Sequence, residues 1–322
     1  MLISVIIPTY NRPQSVLRTL ASLDQQTLAR DAYEVVVVDD GSTYESTEIT
    51  NKQFSFTFSF LRKDNQGATI ARNYGVQHSQ GDILVFMDDD VTISPETLSA
   101  LAEAHRQYKQ SVVVGTLLSR SSVKTPFYKI TALEAALNGS FTSPLADRCI
   151  HFTHCNTQLL AVKREDFFEL GMIQDPTGGW PNWDDVDFGY RAHLAGFQLL
   201  QSGTAVGEHW DYALADLDTS CQRWYKAGKS AAKLFQVHPD LSPHLPMFHD
   251  KLPITWQRDS AKLILRKLIR PLSSAKVILN SMAALVCLLE KYYSSPLFLR
   301  PLYRWMIGGY LFRGYRAGLR EL

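Results

Sequence analysis

The chain has 322 residues, 45% of them hydrophobic, and a formal net charge of +1, which allows one large core with an appendage or two separate domains. The charge is unevenly spread: from Lys251 onward thirteen Lys and Arg stand against three Asp and Glu, with twenty against twenty-nine before it. An acidic body with a basic tail argues against a nucleic-acid-binding body and points the tail toward an anionic surface, phospholipid or a phosphorylated acceptor. Cys149, Cys155, Cys221 and Cys287 show neither C-x-x-C spacing nor grouping with His, so no zinc module or disulfide framework is expected and a reducing compartment fits. Met1-Leu2 runs into a strand pattern without a basic n-region or cleavage site, which predicts no secretory leader. Val277 to Leu289 is apolar but broken by Asn280 and Ser281, and shorter than the roughly 20 residues of a membrane span.

In chain order, Ile3 to Pro8 predicts a strand and Pro13 to Gln26 a helix, with Val16, Leu17, Leu20 and Leu23 at helical spacing. The loop between them, Thr9-Tyr10-Asn11-Arg12, is not Gly-rich, so the dinucleotide fingerprint is missing and a dehydrogenase is disfavoured. Val35 to Val38 is the next strand, ending at Asp39-Asp40-Gly41-Ser42. An acid there suits a nucleoside contact, and a tight turn with Ser42 as helix cap is compatible with it. Phe54 to Leu61 alternates Phe with Ser and Thr, the pattern of an edge strand with one polar face. Asn65-Gln66-Gly67-Ala68 opens a helix to about His78, with Ile70, Tyr74 and Val76 expected inward and Arg72 placed to reach a pyrophosphate. Ile83 to Met87 reads as a strand buried on both faces, as in a parallel sheet, and ends in Asp88-Asp89-Asp90. Three adjacent carboxylates repel, so a site that holds them ionised should include a cation, most simply a divalent one. A solvated acidic turn capping the next helix is the other reading of these three residues alone. The three strand ends meet on one rim in such a sheet, where ligands bind.

VIIPTYNRP, VVVVDDGS, NQGATIARNYG and FMDDDV, in this order, resemble the nucleotide-binding half of the GT-A glycosyltransferases, specifically glycosyltransferase family 2. The resemblance implies an α/β GT-A fold, a Rossmann-like and mostly parallel central sheet flanked by helices. It implies that Pro8, Thr9, Tyr10, Asn11 and Arg12 line the nucleoside pocket and that Asp39 contacts the base. Gly67, Arg72, Asp88 and Asp89 belong with the donor, Asp89 in the variable middle place of D-x-D. Asp88 and Asp90 would bridge Mn2+ or Mg2+ to the diphosphate.

Val112 to Leu118 is another strand, and Ser119 to Ile150 shows little periodicity apart from a helix at Ala132 to Leu137. Part of this long stretch is expected beside the acceptor. His154-Cys155-Asn156 precedes an inner strand at Gln158 to Val162 and a short helix at Arg164 to Leu170. In Gly178 to Arg191, Asn182 can cap a helix whose first turn is acidic, and Asp187 with Arg191 forms an i,i+4 pair. The same stretch resembles the family's E-D-x-D-x-x-x-R motif. On that match Asp185 is the catalytic base, Asp184 replaces the usual Glu, and Trp180, Trp183 and Asp184 lie on the acceptor side. Val206 to His209 follows a short strand at Phe197 to Gln201, and His209 matches a position where family members add an imidazole to the metal. Trp210 and Tyr212 are candidates to close over the donor or wall the acceptor.

The resemblance covers about residues 1 to 212, read as a nucleotide-sugar half (1–110) and an acceptor and base half (111–212). The remainder, 213–322, reads as helices at 217–235, 258–269, 274–291 and 297–319 with Pro-containing joins. Their basic, Leu-rich composition with Tyr292, Tyr293, Tyr303, Trp305, Tyr310 and Tyr315 suits a membrane-surface anchor, packing on the body or on a second subunit being the alternative. The expected function is therefore an inverting, metal-dependent transfer of a sugar from a UDP-sugar to a hydroxyl, including that of a lipid-linked acceptor. The expected place is the cytoplasm, peripheral on the inner face of the plasma membrane. A sugar nucleotidyltransferase and a non-catalytic sugar-nucleotide-binding protein remain the rivals.

Overall fold

The structure, a computed structural model, describes every residue except 121–124, 138–146, 178–182, 211–215 and 293–294, with the backbone alone for 132–137. Trp180, Asn182, Tyr212 and Tyr293 lie outside the described residues. The chain divides into two compact units: Met1–Arg120 with Gly139–Gln174 and Asp184–Trp210, and Ser121–Asn138 with Asp175–Trp183 and Asp211–Leu322. Two shorter stretches from before residue 211 thus group with the C-terminal helices.

The first unit begins β1 (Ile3–Thr9), α1 (Pro13–Leu23), β2 (Tyr33–Asp39), the single turn α2 (Thr47–Thr50), β3 (Thr57–Arg62), α3 (Ala68–Gln77) and β4 (Ile83–Met87). It continues with β5 (Val91–Ile93), α4 (Thr97–Gln107) and β6 (Ser111–Ser119). After α5 (Pro126–Leu137), a part of the second unit, come β7 (Arg148–Cys149), β8 (Leu159–Lys163), α6 (Arg164–Glu169), α7 (Asp184–Leu194) and β9 (Gln198–His209). These nine strands make one sheet, ordered β3-β2-β1-β4-β8-β6-β9-β5 with β7 beside β9. β3, β2, β1 and β4 are parallel, β8 runs antiparallel between β4 and β6, and β6 is parallel to β9.

The alternation of side chains across a strand explains the unbroken apolar runs. Val35 and Val37 of β2 join Val5, Ile7, Val85 and Leu20 in the core on one face, while Val36 and Val38 join Ile6, Phe86 and Phe167 on the other. Each fully buried aliphatic side chain of this kind contributes roughly 1.5–3 kcal/mol. With both faces covered, the polar ends of β1, β2 and β4 are the places left for chemistry.

Two sequence readings need correction. β9 has 12 residues where a short strand at Phe197 to Gln201 was expected, because it pairs with β6 in two segments separated by an irregularity between Val114 and Thr116. Ile70 of α3 is 45% exposed. The inward arc is instead Thr69, Ala71, Arg72, Gly75 and Val76.

In the second unit α8 (Leu217–Val237) is capped by Asp216, which accepts from the Thr219 N–H at 2.8 Å. Short 3-10 turns at Pro239–His244 and Pro246–Phe248 lead to α9 (Ala261–Ser273), α10 (Lys276–Tyr292) and α11 (Pro296–Gly318). α11 meets α8 backbone to backbone: a Cβ on Gly314 would lie 1.9 Å from the Tyr225 carbonyl oxygen, so only glycine permits this approach. Phe127, Ile130, Cys221, Val286, Leu299, Tyr303 and Met306 form one buried cluster of this unit.

Candidate active site

The loops after β1, β2 and β4 are tied to one another by side chains. The Thr9 hydroxyl donates to Asp89 Oδ2 at 2.7 Å. Arg12 Nη1 lies 3.3 Å from Asp89 Oδ1 and 3.1 Å from Asp90 Oδ2. The Asn11 N–H donates to Ser42 Oγ at 2.8 Å, and Asn11 Oδ1 accepts from the Thr43 N–H at 2.9 Å. Thr19 of α1 places its hydroxyl 2.8 Å from the carbonyl oxygens of both Asp89 and Val91, which fixes the acidic turn from below. Pro8 is buried within β1, whereas Tyr10, Asn11 and Arg12 form an exposed lip.

The three acids differ in kind. Asp89 is buried and braces the Thr9 loop. Desolvation pushes its carboxyl up to about 6 against the Thr9 hydrogen bond and the Arg12 charge, with Asp90 and Asp88 adding to the rise. For Asp90, burial also opposes ionisation, but the His209 hydrogen bond and charge together with Arg12 outweigh it and hold the carboxyl below the ordinary value. Asp88 Oδ1 stands 2.6 Å from Arg72 Nη2.

Asp39 is fully buried and holds its own turn, Oδ1 accepting from the Ser42 backbone and hydroxyl, with Arg62 Nε 3.6 Å from Oδ2. Ser42 therefore serves this turn and caps no helix; the residue before α2 is Ser46. Asp40 has a part that the motif reading passed over. It accepts from Lys63 Nζ at 2.8 Å and from the Gln66 and Gly67 N–H groups at 3.0 and 2.7 Å. Those bonds set the start of α3, where Gly67 stands at φ 95°. Only the doubled Asp in VVVVDDGS hinted at it.

Arg72 points inward rather than out toward solvent. Besides Asp88 it approaches Asp184 Oδ2, 3.6 Å from Nη1, and the Thr69 hydroxyl donates to the same Asp184 oxygen at 2.7 Å. The first residue of α7 is thus joined through α3 to the end of β4. Asp185, the next residue, accepts from the Thr157 hydroxyl at 2.7 Å and the Thr157 N–H at 3.2 Å. Desolvation, then the neighbouring Asp184 charge, raises its carboxyl to about 7, while Arg72 and Thr157 oppose the rise. α7 sits close to the preceding chain because Gly189 has no side chain: a Cβ there would lie 2.6 Å from both Cys155 Cβ and the Phe152 carbonyl oxygen. Asp187 pairs with Arg191 at 2.6 Å, and Arg191 also donates to the Leu170 and Met172 carbonyls. That pair holds the turn after α6. Trp183, expected on the acceptor side, is buried in the second unit with Nε1 donating to the Ala227 carbonyl at 3.0 Å and its ring against Phe248.

His209, at the end of β9, brings Nε2 to 3.2 Å from Asp90 Oδ1 and 3.3 Å from Gln158 Nε2. The β9 register that opposes Val91 to His209 makes this meeting possible. Trp210 is pinned beside it, Nε1 donating to Thr92 Oγ1 at 3.2 Å and the ring under the Arg18 guanidinium. Among the described residues no three His, Cys, Asp or Glu side chains converge as a finished metal cage. The buried Asp90 Oδ1 lacks a well-aligned hydrogen bond. Facing an imidazole nitrogen, it offers the oxygen and nitrogen donors that manganese or magnesium takes when phosphate oxygens and water complete the shell. Asp90 and His209 fit such an ion. Asp88 is engaged by Arg72 and would join only by sharing its carboxylate.

Comparison with known proteins agrees with this architecture. The model of "Glycosyl transferase family 2" matches residues 4–168, just over half of the chain, and the chain belongs to that family. It is 26% identical over 274 residues to validoxylamine A glucosyltransferase of Streptomyces hygroscopicus subsp. jinggangensis, covering 76% of this chain and 63% of the relative. The chain thus spans less than two thirds of that relative's length. Its fold is similar to the mannosyltransferase PcManGT of Pyrobaculum calidifontis in complex with GDP-Man and Mn2+, with TM-score 0.61, 19% identity, and 99% and 87% of the two chains covered. It is also similar to GalNAc-T7 with UDP, GalNAc and Mn2+, with TM-score 0.52, 18% identity, and 65% and 43% covered. The α/β fold is that of the GT-A glycosyltransferases.

Proposed function

We propose that the chain transfers a sugar, with inversion, from a nucleoside diphosphate sugar, taken as UDP-linked, to an acceptor hydroxyl, in the synthesis of a polysaccharide, glycolipid or glycoconjugate. The observation that carries this reading is the pairing of two carboxylate sets across Arg72. Asp88 to Asp90 lie on the side of the nucleotide loops, and Asp184 with Asp185 opens α7. Donor and acceptor chemistry need such a division. A hydroxyl attacks well only when a base removes its proton, and a diphosphate leaves well only when its growing charge is neutralised.

Asp185 takes the acceptor proton. Thr157 orients its carboxylate, and desolvation raises its basicity toward neutral pH. The Thr9 to Arg12 lip receives the nucleoside, with Asp39 supporting the adjoining turn. Arg12 is exposed and already bound to the acidic turn, so it can exchange Asp90 for a phosphate. Asp90 and His209, with Asp88, would hold Mn2+ or Mg2+, which would supply neutralisation of charge on a leaving diphosphate. Uridine rests on the family resemblance, since the two structural neighbours carry UDP and GDP-Man. A sugar nucleotidyltransferase is disfavoured by the PTYNR opening in place of a Gly-rich loop. The tail is proposed to hold the protein on the cytoplasmic face of a membrane, where a lipid-linked acceptor would be met.

A thermal-shift screen of UDP-, GDP- and dTDP-sugars with and without manganese tests the donor. The cognate donor at about 100 times its dissociation constant adds about 2.7 kcal/mol of stability, and it should do so only with metal. No shift with any nucleotide sugar would count against the reading, and shift without donor hydrolysis or transfer would favour a binding protein.

A further inference from the structure

Helix α9 turns an apolar stripe to solvent and two of its four charges, Lys267 and Arg270, to the protein. Leu265, Leu268, Ile269 and Leu272, spaced i, i+3, i+4 and i+7, form one stripe and are 57%, 55%, 46% and 72% exposed. Lys267 and Arg270 point the other way. Lys267 Nζ is 2.6 Å from Asp259 Oδ2, Arg270 pairs with Asp250, and their side chains are only 6% and 18% exposed. A helix stable in water does the reverse. α10 repeats the pattern: Val277, Leu285, Leu288 and Tyr292 are exposed along one side, while Leu279 and Val286 face inward.

We propose that the outward faces of α9 and α10 bind the surface of a bilayer that contains anionic lipid, lying in the headgroup region rather than crossing it. This deepens the membrane part of the proposed function and does not depend on the transfer chemistry. Charge selects the occupant. Lys262 and Arg266 are exposed beside the α9 stripe, α9 contains no acid, and the one acid of α10, Glu290, accepts from the Tyr303 hydroxyl at 2.6 Å. A second copy would bring the same cations together, whereas anionic headgroups complement them. Geometry selects the mode. Among the described residues no single helix is long and apolar enough to cross, and α9 and α10 meet at 87°, so the pair cannot cross as one rod. At 13 residues, α9 is about 20 Å long, short of the roughly 30 Å hydrocarbon core. Trp256, 73% exposed ahead of α9, and Tyr292 at the end of α10 are the amphipathic rings that favour an interface.

The tail was singled out in the sequence for its composition, and two of the aromatics named there are buried. Tyr303 and Tyr315 are core residues, and of the six aromatics named from sequence Tyr292 and Trp305 are the exposed ones among the described residues.

Flotation of the full chain with vesicles of phosphatidylcholine alone, or mixed with phosphatidylglycerol, tests the proposal. Binding should require the anionic lipid and weaken with salt. Lys262→Gln with Arg266→Gln should weaken it about 25-fold, at about fivefold per charge. Leu268→Glu with Leu272→Glu should abolish it while circular dichroism is unchanged. Equal recovery on neutral vesicles, or binding indifferent to the leucine pair, would overturn it. So would a concentration-dependent dimer in light scattering that the leucine substitutions dissolve, since that assigns the face to a second copy. Vesicle binding of the predicted kind by a protein that hydrolyses no donor would leave this proposal standing and reject the transferase reading.

Discussion

Arg72 Nη2 lies 2.6 Å from Asp88 Oδ1 inside the site, and the same guanidinium reaches Asp184 at the head of α7. One arginine therefore joins the end of β4 to the start of α7. Removing a buried partner of this kind leaves charges without compensation, which costs about 3–5 kcal/mol. Arg72→Met should lower stability in urea unfolding by that order, and Asp184→Asn in the same background should recover part of the loss through coupling. Independent, additive losses would show that the bridge is not formed.

The ionisation of Asp185 gives two linked expectations. Its carboxyl is raised to about 7 by desolvation and Asp184, so the rate should climb with pH through an apparent pKa above the ordinary carboxylate value. The stability effect has the opposite sense. A raised carboxyl binds more protons folded than unfolded between about 4 and the folded value, so its contribution to stability falls as pH rises through that window. Asp185→Asn removes the titration, and its stability relative to wild type should be greater at pH 8 than at pH 5. The pH dependence of both melting curves reads this directly.

His105 of α4 shows the reverse sign. Burial lowers its imidazole to about 4, so the unfolded chain takes up a proton below about 6.5 that the folded chain refuses. Stability from this group is present above that pH and is lost as pH falls toward the folded value. His105→Met should flatten the acid side of the stability profile. An unchanged acid profile would show that the ring is protonated without loss of the fold.

Metal dependence is read on Asp90 and His209. Exhaustive chelation should abolish turnover, manganese should restore it better than magnesium if the imidazole nitrogen binds, and His209→Gln should erase that preference. Asp90→Ala with wild-type turnover would remove the metal from the account.

How much of this was visible in the sequence follows from what each signal encodes. The Val35 to Val38 run announced a strand, and Ile83 to Met87 one covered on both faces, because burial on two sides leaves no polar alternation. The acids at those strand ends were visible for the same reason. The partners of those acids were not visible, because they are distant in sequence: Thr9 for Asp89, Thr157 for Asp185, and Lys63 with two backbone N–H groups for Asp40. Asp39 was read as a ligand contact, and its bracing of the Ser42 turn through Oδ1 was not visible, since a motif gives residue type and not side-chain environment. Ile70 was placed inward on hydrophobicity, but Ala71 and Gly75 are small enough to let α3 press on the sheet, and they take that face instead. For α9 the pattern announced a helix at 258–269 in a Leu-rich, basic tail and could not say which of its residues turn to solvent.

The central claim is that Asp185 removes the acceptor proton in a single inverting displacement. Asp185→Asn keeps the size of the side chain but cannot accept that proton. Measured by transfer kinetics with the cognate donor, the variant should lose roughly 10²–10⁴-fold in turnover, with donor affinity little changed and an inverted anomeric centre in the residual product. Turnover near wild type, or a product that keeps the donor's anomeric configuration, would contradict the account.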